Sequence, residues 1–363
     1  MSKVDWGSHA VAQCAQLHPY IPGKPVEMLL AEQGITDAIK LASNENPYGP
    51  PPAAIAAIRE HAGGVSRYPD GDSRALKKLL AAIHGVTANE IIIGNGSSEI
   101  LELVIRTFAG AGDEVVFSSR AFIMYPLYTR AVGATGISVP EADGLTHDLD
   151  MMAAAVNERT KVLCIANPNN PTGTVHSYSA IQQMLDQLPR HLVVLLDEAY
   201  IEYMHERDRQ GSLNHPGLVI CRTFSKAFGL AGCRIGYGVA DAGLLSLVNR
   251  FRPPFNTGNL SQAAAIAALG DTDWVLERVA ESKRERTLLE DFFDSIGLLA
   301  CRSAANFVLI RHDLSDWLLL ELEQRGIIPR PLKPYGMENY LRITVGTASE
   351  NAQLITAMKT ILG

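Results

Sequence analysis

The sequence predicts an α/β fold, with a large domain built on a mainly parallel central sheet flanked by helices and a smaller α+β C-terminal domain. From about residue 52 to residue 250, short β-rich runs alternate with helical patterns. Runs such as V-L-C-I-A and L-V-V-L-L-D are continuously apolar, which is typical of strands covered by helices on both faces. With 363 residues, of which 47% are hydrophobic and 20% charged, the chain is long enough for two packed domains.

Each element of the large domain follows from local signals. Pro52 opens an alanine- and isoleucine-rich helix, and Ser73 and Ser97 begin two more. The predicted helices cover residues 52–61, 73–84 and 97–108. The predicted strands, all rich in apolar residues, cover 91–93, 114–117, 136–139, 161–165, 192–197, 218–223 and 235–239.

The pattern changes after Pro253 and Pro254. An alanine-rich helix from residue 261, a charged helix over 273–295, and then strand, helix, strand and a final helix from residue 348 predict a smaller α+β unit. The first 40 residues contain three prolines and no convincing periodicity, which predicts an arm lying on the rest. We therefore expect an N-terminal arm over 1–40, a large domain over 41–255 and a small domain over 256–363.

Composition excludes several classes of function. The chain has 32 Lys and Arg against 39 Asp and Glu, a net charge of −7 with no long basic run, which disfavours a nucleic-acid partner. No apolar run reaches the roughly 18 residues of a membrane helix, and the N-terminus lacks the apolar core of a signal peptide. The 5 cysteines are scattered without a C-x-x-C pair, which argues against disulfides and a zinc site. We expect a cytoplasmic protein that has no metal site and no membrane partner.

Four loops that follow predicted strands carry the candidate chemistry, because ligands of α/β sheets bind beyond the carboxyl ends of the strands. These loops are G-N-G-S-S-E at 94–99, N-P-N-N-P-T-G at 167–173, D-E-A-Y at 197–200 and F-S-K-A-F-G-L-A-G-C-R-I-G-Y at 224–237.

The first loop is a candidate anion site. Gly96, Ser97 and Ser98 place flexible backbone and hydroxyl groups at a helix N-terminus, where free N–H groups favour a phosphate. An ordinary capped turn is the alternative. Gly94 and Gly96 also begin a near match to the dinucleotide fingerprint, but Glu99 replaces its third small residue and so argues against a nicotinamide-dependent dehydrogenase.

Lys226 and Asp197 are the candidate catalytic residues. Lys226 stands among apolar and small residues, where a desolvated amine can form a Schiff base; the alternative is a lysine that reaches the surface. Asp197 ends an apolar strand, where a carboxylate needs a cation or a polar site, and a salt-bridged structural aspartate is its alternative. Thr223, Ser225 and Arg234 add phosphate ligands nearby. Together these groups meet the demands of pyridoxal phosphate.

The motifs resemble those of known families. N-P-N-N-P-T-G, D-E-A-Y and S-K-A-F-G-L-A-G-C-R-I-G-Y resemble the fold-type I pyridoxal-phosphate-dependent aminotransferases of classes I and II. The segments L-A-S-N-E-N-P-Y-G-P at 41–50, R-Y-P-D-G at 67–71, and R-P-L-K-P-Y-G-M followed by L-R-I-T-V-G at 330–346 are similar to the histidinol-phosphate aminotransferase family. The resemblance covers nearly the whole chain.

The resemblance implies a role for each site residue. Lys226 would form the Schiff base with pyridoxal 5'-phosphate and move the substrate proton, and Asp197 would pair with the ring nitrogen. Asn170 and Tyr200 would bind the ring hydroxyl, and Tyr125 in A-F-I-M-Y would stack on the ring. The implied phosphate ligands are Ser97, Ser98, Thr223, Ser225 and Arg234, with Tyr68 contributed by a second subunit.

The resemblance also implies how substrates bind. Arg342 would hold the substrate carboxylate, and Tyr20 and Arg330 would hold the phosphate of the substrate itself. Pro329 departs from the family, which usually has an apolar residue such as valine there.

The implied function is transamination in histidine biosynthesis. A homodimer with shared sites would convert histidinol phosphate and 2-oxoglutarate to imidazole-acetol phosphate and glutamate, or the reverse in the biosynthetic direction. An aromatic amino acid aminotransferase, acting on phenylalanine or tyrosine, is the alternative, because such enzymes share almost every motif. A non-catalytic protein of the same fold would be expected to lose Lys226 or Asp197, and both are present.

Overall fold

The computed structural model describes residues 4–17, 19 and 21–363. Its α-helices are α1 (Val26–Gln33), α2 (Pro52–His61), α3 (Arg74–His84), α4 (Ser97–Phe108), α5 (Met124–Ala131), α6 (Leu149–Ala154), α7 (Tyr178–Leu185), α8 (Ala242–Val248), α9 (Asn259–Leu269), α10 (Thr272–Ser295), α11 (Ser315–Gln324) and α12 (Ala348–Leu362). Its strands are β1 (Ile39–Lys40), β2 (Ile91–Gly94), β3 (Glu114–Ser118), β4 (Thr135–Val139), β5 (Thr160–Ala166), β6 (Val193–Asp197), β7 (Leu218–Thr223), β8 (Gly236–Val239), β9 (Leu299–Cys301), β10 (Phe307–Arg311), β11 (Ile327–Ile328), β12 (Arg330–Pro331) and β13 (Tyr340–Thr344).

A seven-stranded sheet of order β2-β8-β7-β6-β5-β3-β4 forms the centre of the molecule. The pairs from β7 through β6, β5 and β3 to β4 are parallel. Strand β8 runs antiparallel to both of its neighbours, β2 and β7. The predicted mainly parallel sheet is confirmed, and its seven strands lie within about one residue of the predicted ranges.

Helices cover both faces of this sheet. On one face, Val162 and Cys164 of β5 join a buried cluster with Val104 of α4. On the other, Leu163 and Ile165 of the same strand pack with residues of α6 and α7. Because successive side chains of a strand point to opposite faces, a strand buried on both sides is apolar at every position, which explains the uninterrupted runs.

A second, antiparallel sheet of order β12-β13-β10-β9 lies in the C-terminal part of the chain. Helices α10, α11 and α12 bury Phe293, Leu318 and Leu354 against it. This part is the predicted α+β unit. Helix α9 instead packs its alanines with buried residues of α2 and α3, such as Ala54 and Leu76. The predicted domain boundary between 255 and 256 stays a prediction.

The N-terminal segment contains a helix that the sequence signals do not predict. Only Leu29 is buried in α1, so its eight residues carry too little apolar periodicity to stand out. Strand β1 pairs in parallel with β11, which ties this segment to the C-terminal part of the chain. In the ranges that the structure describes, every helix is too short or too polar to cross a membrane.

Candidate active site

A cavity of about 270 Å³ opens where β5, β6 and β7 end, and residues of both sheets line it. Eleven of the residues proposed from the sequence lie on its walls, which are Ser97, Ser98, Asn170, Asp197, Tyr200, Thr223, Ser225, Lys226, Arg234, Arg330 and Arg342. The four strand-end loops therefore converge on one site, as the carboxyl-end rule predicts.

Asp197 is the last residue of β6 and is 5% exposed. Its Oδ1 accepts a hydrogen bond from the Ala199 backbone N–H at 3.1 Å, and its Oδ2 accepts one from the Tyr125 hydroxyl at 3.1 Å. Burial raises the pKa of Asp197 to about 6, and the Tyr125 hydrogen bond opposes that rise. The carboxylate is thus held in a fixed orientation at a place where a cation on the ligand would stabilise its charge.

Lys226 follows β7 and turns its amine into the same cavity. Nζ donates to the carbonyl of Ser43 at 3.1 Å and lies 5.8 Å from the centre of the Tyr200 ring. Burial, and then repulsion from Arg342, lower the pKa of Lys226 to about 7. At neutral pH a large fraction of the amine is unprotonated and can act as a nucleophile or a base.

Tyr200 lies near the Lys226 amine and contacts Asn44, which belongs to the N-terminal part of the cavity wall. The Asn44 side-chain amide donates to the Tyr200 hydroxyl oxygen at 2.9 Å. Tyr200 is 4% exposed, and burial raises its pKa to about 12. The phenol therefore keeps its proton at neutral pH and can donate it in a hydrogen bond to a ligand oxygen.

A pocket suited to an anion lies at the N-terminus of α4. Arg234, in the left-handed backbone region, reaches Ser225 Oγ at 3.4 Å, and Thr223 Oγ1 donates to the same oxygen at 3.0 Å. Gly96 has a φ of 76°, and a Cβ there would stand 2.5 Å from Arg234 Nη2. Hydroxyl groups, a guanidinium group and free helix N–H groups together form a typical phosphate site.

Arg342, on β13, reaches across from the second sheet. Its Nη1 donates to Asn170 Oδ1 and its Nη2 to the carbonyl of Ala42 at 2.8 Å. The residue is 6% exposed, and its buried Nε has no hydrogen-bond partner within the described part of the chain. A buried guanidinium with an unused donor is suited to a carboxylate ligand.

Arg330 lies on the same wall, at the start of β12. It is 5% exposed, and its Nη2 donates to the carbonyl of Ile21 at 2.7 Å. Tyr20, the predicted companion of Arg330, lies outside the described residues. Two guanidinium groups, of Arg330 and Arg342, thus face one cavity together with the amine of Lys226.

Comparisons with known proteins agree with this geometry. The sequence profile of the family described as aminotransferase class I and II matches residues 36–358. Histidinol-phosphate aminotransferase 2 of Pasteurella multocida is 46% identical to this chain, with 96% of each protein covered. Histidinol-phosphate aminotransferase 1 of Nitrosococcus oceani is 45% identical, with 97% of this chain and 96% of the relative covered.

This chain belongs to the histidinol-phosphate aminotransferase family of class I and II aminotransferases. Its fold matches the crystal structure of histidinol-phosphate aminotransferase from Sinorhizobium meliloti in complex with pyridoxal-5'-phosphate. The TM-score is 0.87 at 28% identity, and 98% of each chain is covered. The predicted fold class is therefore confirmed.

One predicted site residue of the aminotransferase has a different position from the one expected. Tyr125, on α5, is fully buried and is not among the described residues that line the cavity. Phe122 lines the cavity instead. The two rings meet edge to face, with centroids 5.9 Å apart. Phe122 precedes the helix, whereas Tyr125 sits in its first turn and belongs to a buried cluster with residues of β5. The expectation that Tyr125 stacks on a ligand ring does not fit its complete burial, and Phe122 is the residue of A-F-I-M-Y that lines the cavity.

Tyr68 also lies away from the cavity. Its side chain is 82% exposed and stacks on Phe255 with ring centroids 4.5 Å apart. Its expected contribution to the site of a second subunit stays a prediction.

Several polar or aromatic cavity residues of the aminotransferase have no predicted role. Besides Phe122, these are Ser43, Asn44, Glu45 and Tyr335. The last four stand in segments whose resemblance to the family is visible in the sequence, L-A-S-N-E-N-P at 41–47 and R-P-L-K-P-Y-G-M at 330–337. That resemblance could have suggested these residues, but the residue types alone indicate no chemistry for them.

Proposed function

We propose that this aminotransferase transfers an amino group between histidinol phosphate and 2-oxoglutarate with pyridoxal 5'-phosphate as cofactor. The same reaction run toward histidine would start from imidazole-acetol phosphate and glutamate. The observation that carries the proposal is one cavity in which Lys226 and Asp197 stand beside an anion pocket, with Arg342 and Arg330 on its walls. The names of the relatives at 45% and 46% identity support the choice of substrate.

The residues present fit the cofactor. Its phosphate would be held by the anion pocket of Ser97, Ser98, Thr223, Ser225 and Arg234, where the missing Cβ of Gly96 leaves room for the guanidinium group. Its ring nitrogen would face Asp197, its ring hydroxyl would face Asn170 and Tyr200, and one face of its ring would rest on Phe122. When bound, the cofactor would supply an aldehyde that reacts with amines and a ring that accepts electrons from the substrate Cα.

The protein residues supply the acid–base and electrostatic parts of the reaction. Lys226 Nζ, with a pKa of about 7, would be deprotonated often enough at neutral pH to take the proton from the substrate Cα. The negative charge of Asp197 would keep a proton on the ring nitrogen and so favour the electron-accepting form. Tyr200 would donate its hydrogen bond to the ring hydroxyl oxygen, since its pKa of about 12 keeps it protonated.

Two arginines would orient the substrate. Arg342 would bind the carboxylate of glutamate bidentately through its guanidinium group, whose Nε is without a partner among the described residues. Arg330 would bind the phosphate of histidinol phosphate, and the side-chain carboxylate of glutamate in the other half-reaction. Both groups are buried, so their hydrogen bonds to an anion would be strong.

A homodimer and a cytoplasmic location complete the proposal. The exposed pair of aromatic rings formed by Tyr68 and Phe255 would be covered by a second copy of the chain, which would bring Tyr68 to the neighbouring phosphate. Two of the cysteines, Cys164 and Cys221, are buried free thiols in β5 and β7, which fits a reducing compartment.

Arg330→Ala tests the choice of substrate. Loss of charge-assisted hydrogen bonds should lower kcat/KM for histidinol phosphate by about tenfold to more than a hundredfold, while kcat/KM for phenylalanine stays nearly intact or improves. Arg325→Ala, at an exposed arginine paired with Glu321, is the matched control and should leave both values unchanged. Equal losses for both substrates, or a wild-type preference for phenylalanine, would favour an aromatic amino acid aminotransferase.

A further inference from the structure

Tyr125 contacts Asp197 and has no part in the function proposed above. Tyr125 is 0% exposed, and its hydroxyl lies 3.1 Å from Asp197 Oδ2. It is not among the described residues that line the cavity, whereas Phe122, whose ring meets it edge to face, does line it. The hydroxyl, which is the only polar group of the Tyr125 side chain, donates its hydrogen bond to the Asp197 carboxylate.

The surroundings of Asp197 make this contact important. Cys164 and Cys221, from the strands on either side, are buried thiols whose pKa values burial raises, so they are neutral neighbours. The charged groups that act on Asp197 are Glu198, which disfavours its ionised form, and Lys226, which favours it. Among the described residues, Tyr125 is the only side chain that donates a hydrogen bond to the Asp197 carboxylate, and the Ala199 backbone N–H is the other donor to it.

Tyr125 can only act as a donor here. Burial, and the nearby Asp197 charge, raise the pKa of the phenol well above its usual value, so it stays protonated at neutral pH. A hydrogen bond from a neutral phenol stabilises an ionised carboxylate and not a protonated one. Thr129 Oγ1 in turn donates to the Tyr125 carbonyl at 2.8 Å, within α5.

We propose that Tyr125 is a positioning residue that keeps Asp197 ionised and aimed into the cavity, and thereby sustains the charge that the cofactor ring requires. This inference rests on the proposed function, since it assigns Tyr125 a part in the same site. It explains why a tyrosine stands at a fully buried position whose ring could otherwise be a phenylalanine.

The test is Tyr125→Phe in the cofactor-loaded enzyme. The ring and its packing remain, and only the hydroxyl is lost. We expect kcat to fall about tenfold to a hundredfold, the effect of one hydrogen bond to a charged group, while KM for both substrates changes by less than about threefold. A second readout is the pH midpoint of the visible absorbance of the bound cofactor. The shift of this midpoint in Tyr125→Phe should have the same direction as the shift in Asp197→Asn and should be smaller.

Tyr178→Phe is the matched control. The Tyr178 hydroxyl donates a hydrogen bond to Glu198, which follows Asp197 in the chain. Glu198 is not among the described residues that line the cavity. Both variants delete one phenol–carboxylate hydrogen bond, and both should lower the thermal unfolding midpoint. We expect the absorbance midpoint and kcat of Tyr178→Phe to stay at the wild-type values.

Two outcomes separate the inference from the proposed function. If Tyr125→Phe keeps the wild-type kcat and absorbance midpoint and loses only stability, as Tyr178→Phe does, Tyr125 is a packing residue and the inference is wrong. If wild-type protein binds no pyridoxal phosphate and transfers no amino group, it is the proposed function that fails.

Discussion

Lys226 has a chemical character that its surroundings create. A protonated amine in the cavity loses water and faces Arg342, and both effects disfavour the charged form. The pKa of about 7 lies far below the value of 10.5 for an exposed lysine. The residue is therefore tuned to exchange protons near neutral pH.

The first prediction at the residue scale concerns this amine. Because only the unprotonated amine attacks an aldehyde, the rate at which cofactor-free protein captures pyridoxal phosphate should rise with pH, with a midpoint near 7. Rapid mixing with detection of visible absorbance measures that rate. Lys226→Ala should abolish the absorbance and the transamination, whereas Lys359→Ala, on α12, should preserve both. A midpoint near 10 would contradict the lowered pKa.

Individual site residues differ in how far the sequence predicts them. Asp197, Lys226 and Arg342 follow from strand-end positions and motifs, and the structure places all three on the cavity. In A-F-I-M-Y, two aromatic residues stand three positions apart, and the sequence does not indicate which faces the ligand. That choice depends on where α5 begins, because a shift of one residue in a helix turns a side chain by about 100°.

At the scale of elements, the junction between β2 and α4 requires a backbone conformation that favours glycine. Gly96 is the N-cap of α4 with a φ of 76°, and a Cβ there would collide with Arg234. Gly85, the C-cap of α3, has a similar φ of 67° but open space around its Cα. Both positions have a positive φ, but ψ is 166° at Gly96 and 31° at Gly85, so a side chain is more strained at Gly96, where the new methyl group would also meet Arg234.

Gly96→Ala and Gly85→Ala therefore form a matched pair. Gly85→Ala should lose about 1 kcal/mol of unfolding free energy from its left-handed conformation, and Gly96→Ala about 1 to 3 kcal/mol, because its backbone lies in a region that essentially only glycine adopts. Only Gly96→Ala should also weaken the binding of pyridoxal phosphate, because Arg234 must move away from the anion pocket. Chemical denaturation and equilibrium binding of the cofactor measure the two effects. Equal cofactor affinity in both variants would refute the assignment of this pocket to the phosphate.

The elements themselves were predictable where they bury a wide apolar face. Helices α2 and α4 begin and end where the sequence predicts, whereas the short helix α1, with one buried residue, is not predicted. The strand at 236–239 is predicted, but its antiparallel direction is not. A strand buried on both faces has the same apolar pattern in either direction, so only its neighbours in the sheet fix its orientation.

At the scale of the whole molecule, the proposed role of Tyr68 would link the site to the state of assembly. An aromatic side chain that is 82% exposed gains little from the fold of its own chain. Light scattering should give a mass of twice 39.3 kDa. Tyr68→Phe should leave that mass unchanged and weaken cofactor retention, since it removes one hydroxyl donor to the phosphate. A fully active single chain would contradict the homodimer.

The segment 42–44 has a consequence for how this protein can change. The carbonyls of Ala42, Ser43 and Asn44 accept hydrogen bonds, in that order, from Arg342, Lys226 and Asn306. Backbone acceptors survive any replacement of the side chains that they carry. Loss or gain of a single residue would instead shift all three acceptors by one position along the chain. Directed evolution of this enzyme can therefore vary Ser43 more freely than the length of the segment, whereas Asn44 is also fixed by the hydrogen bond of its side chain to Tyr200.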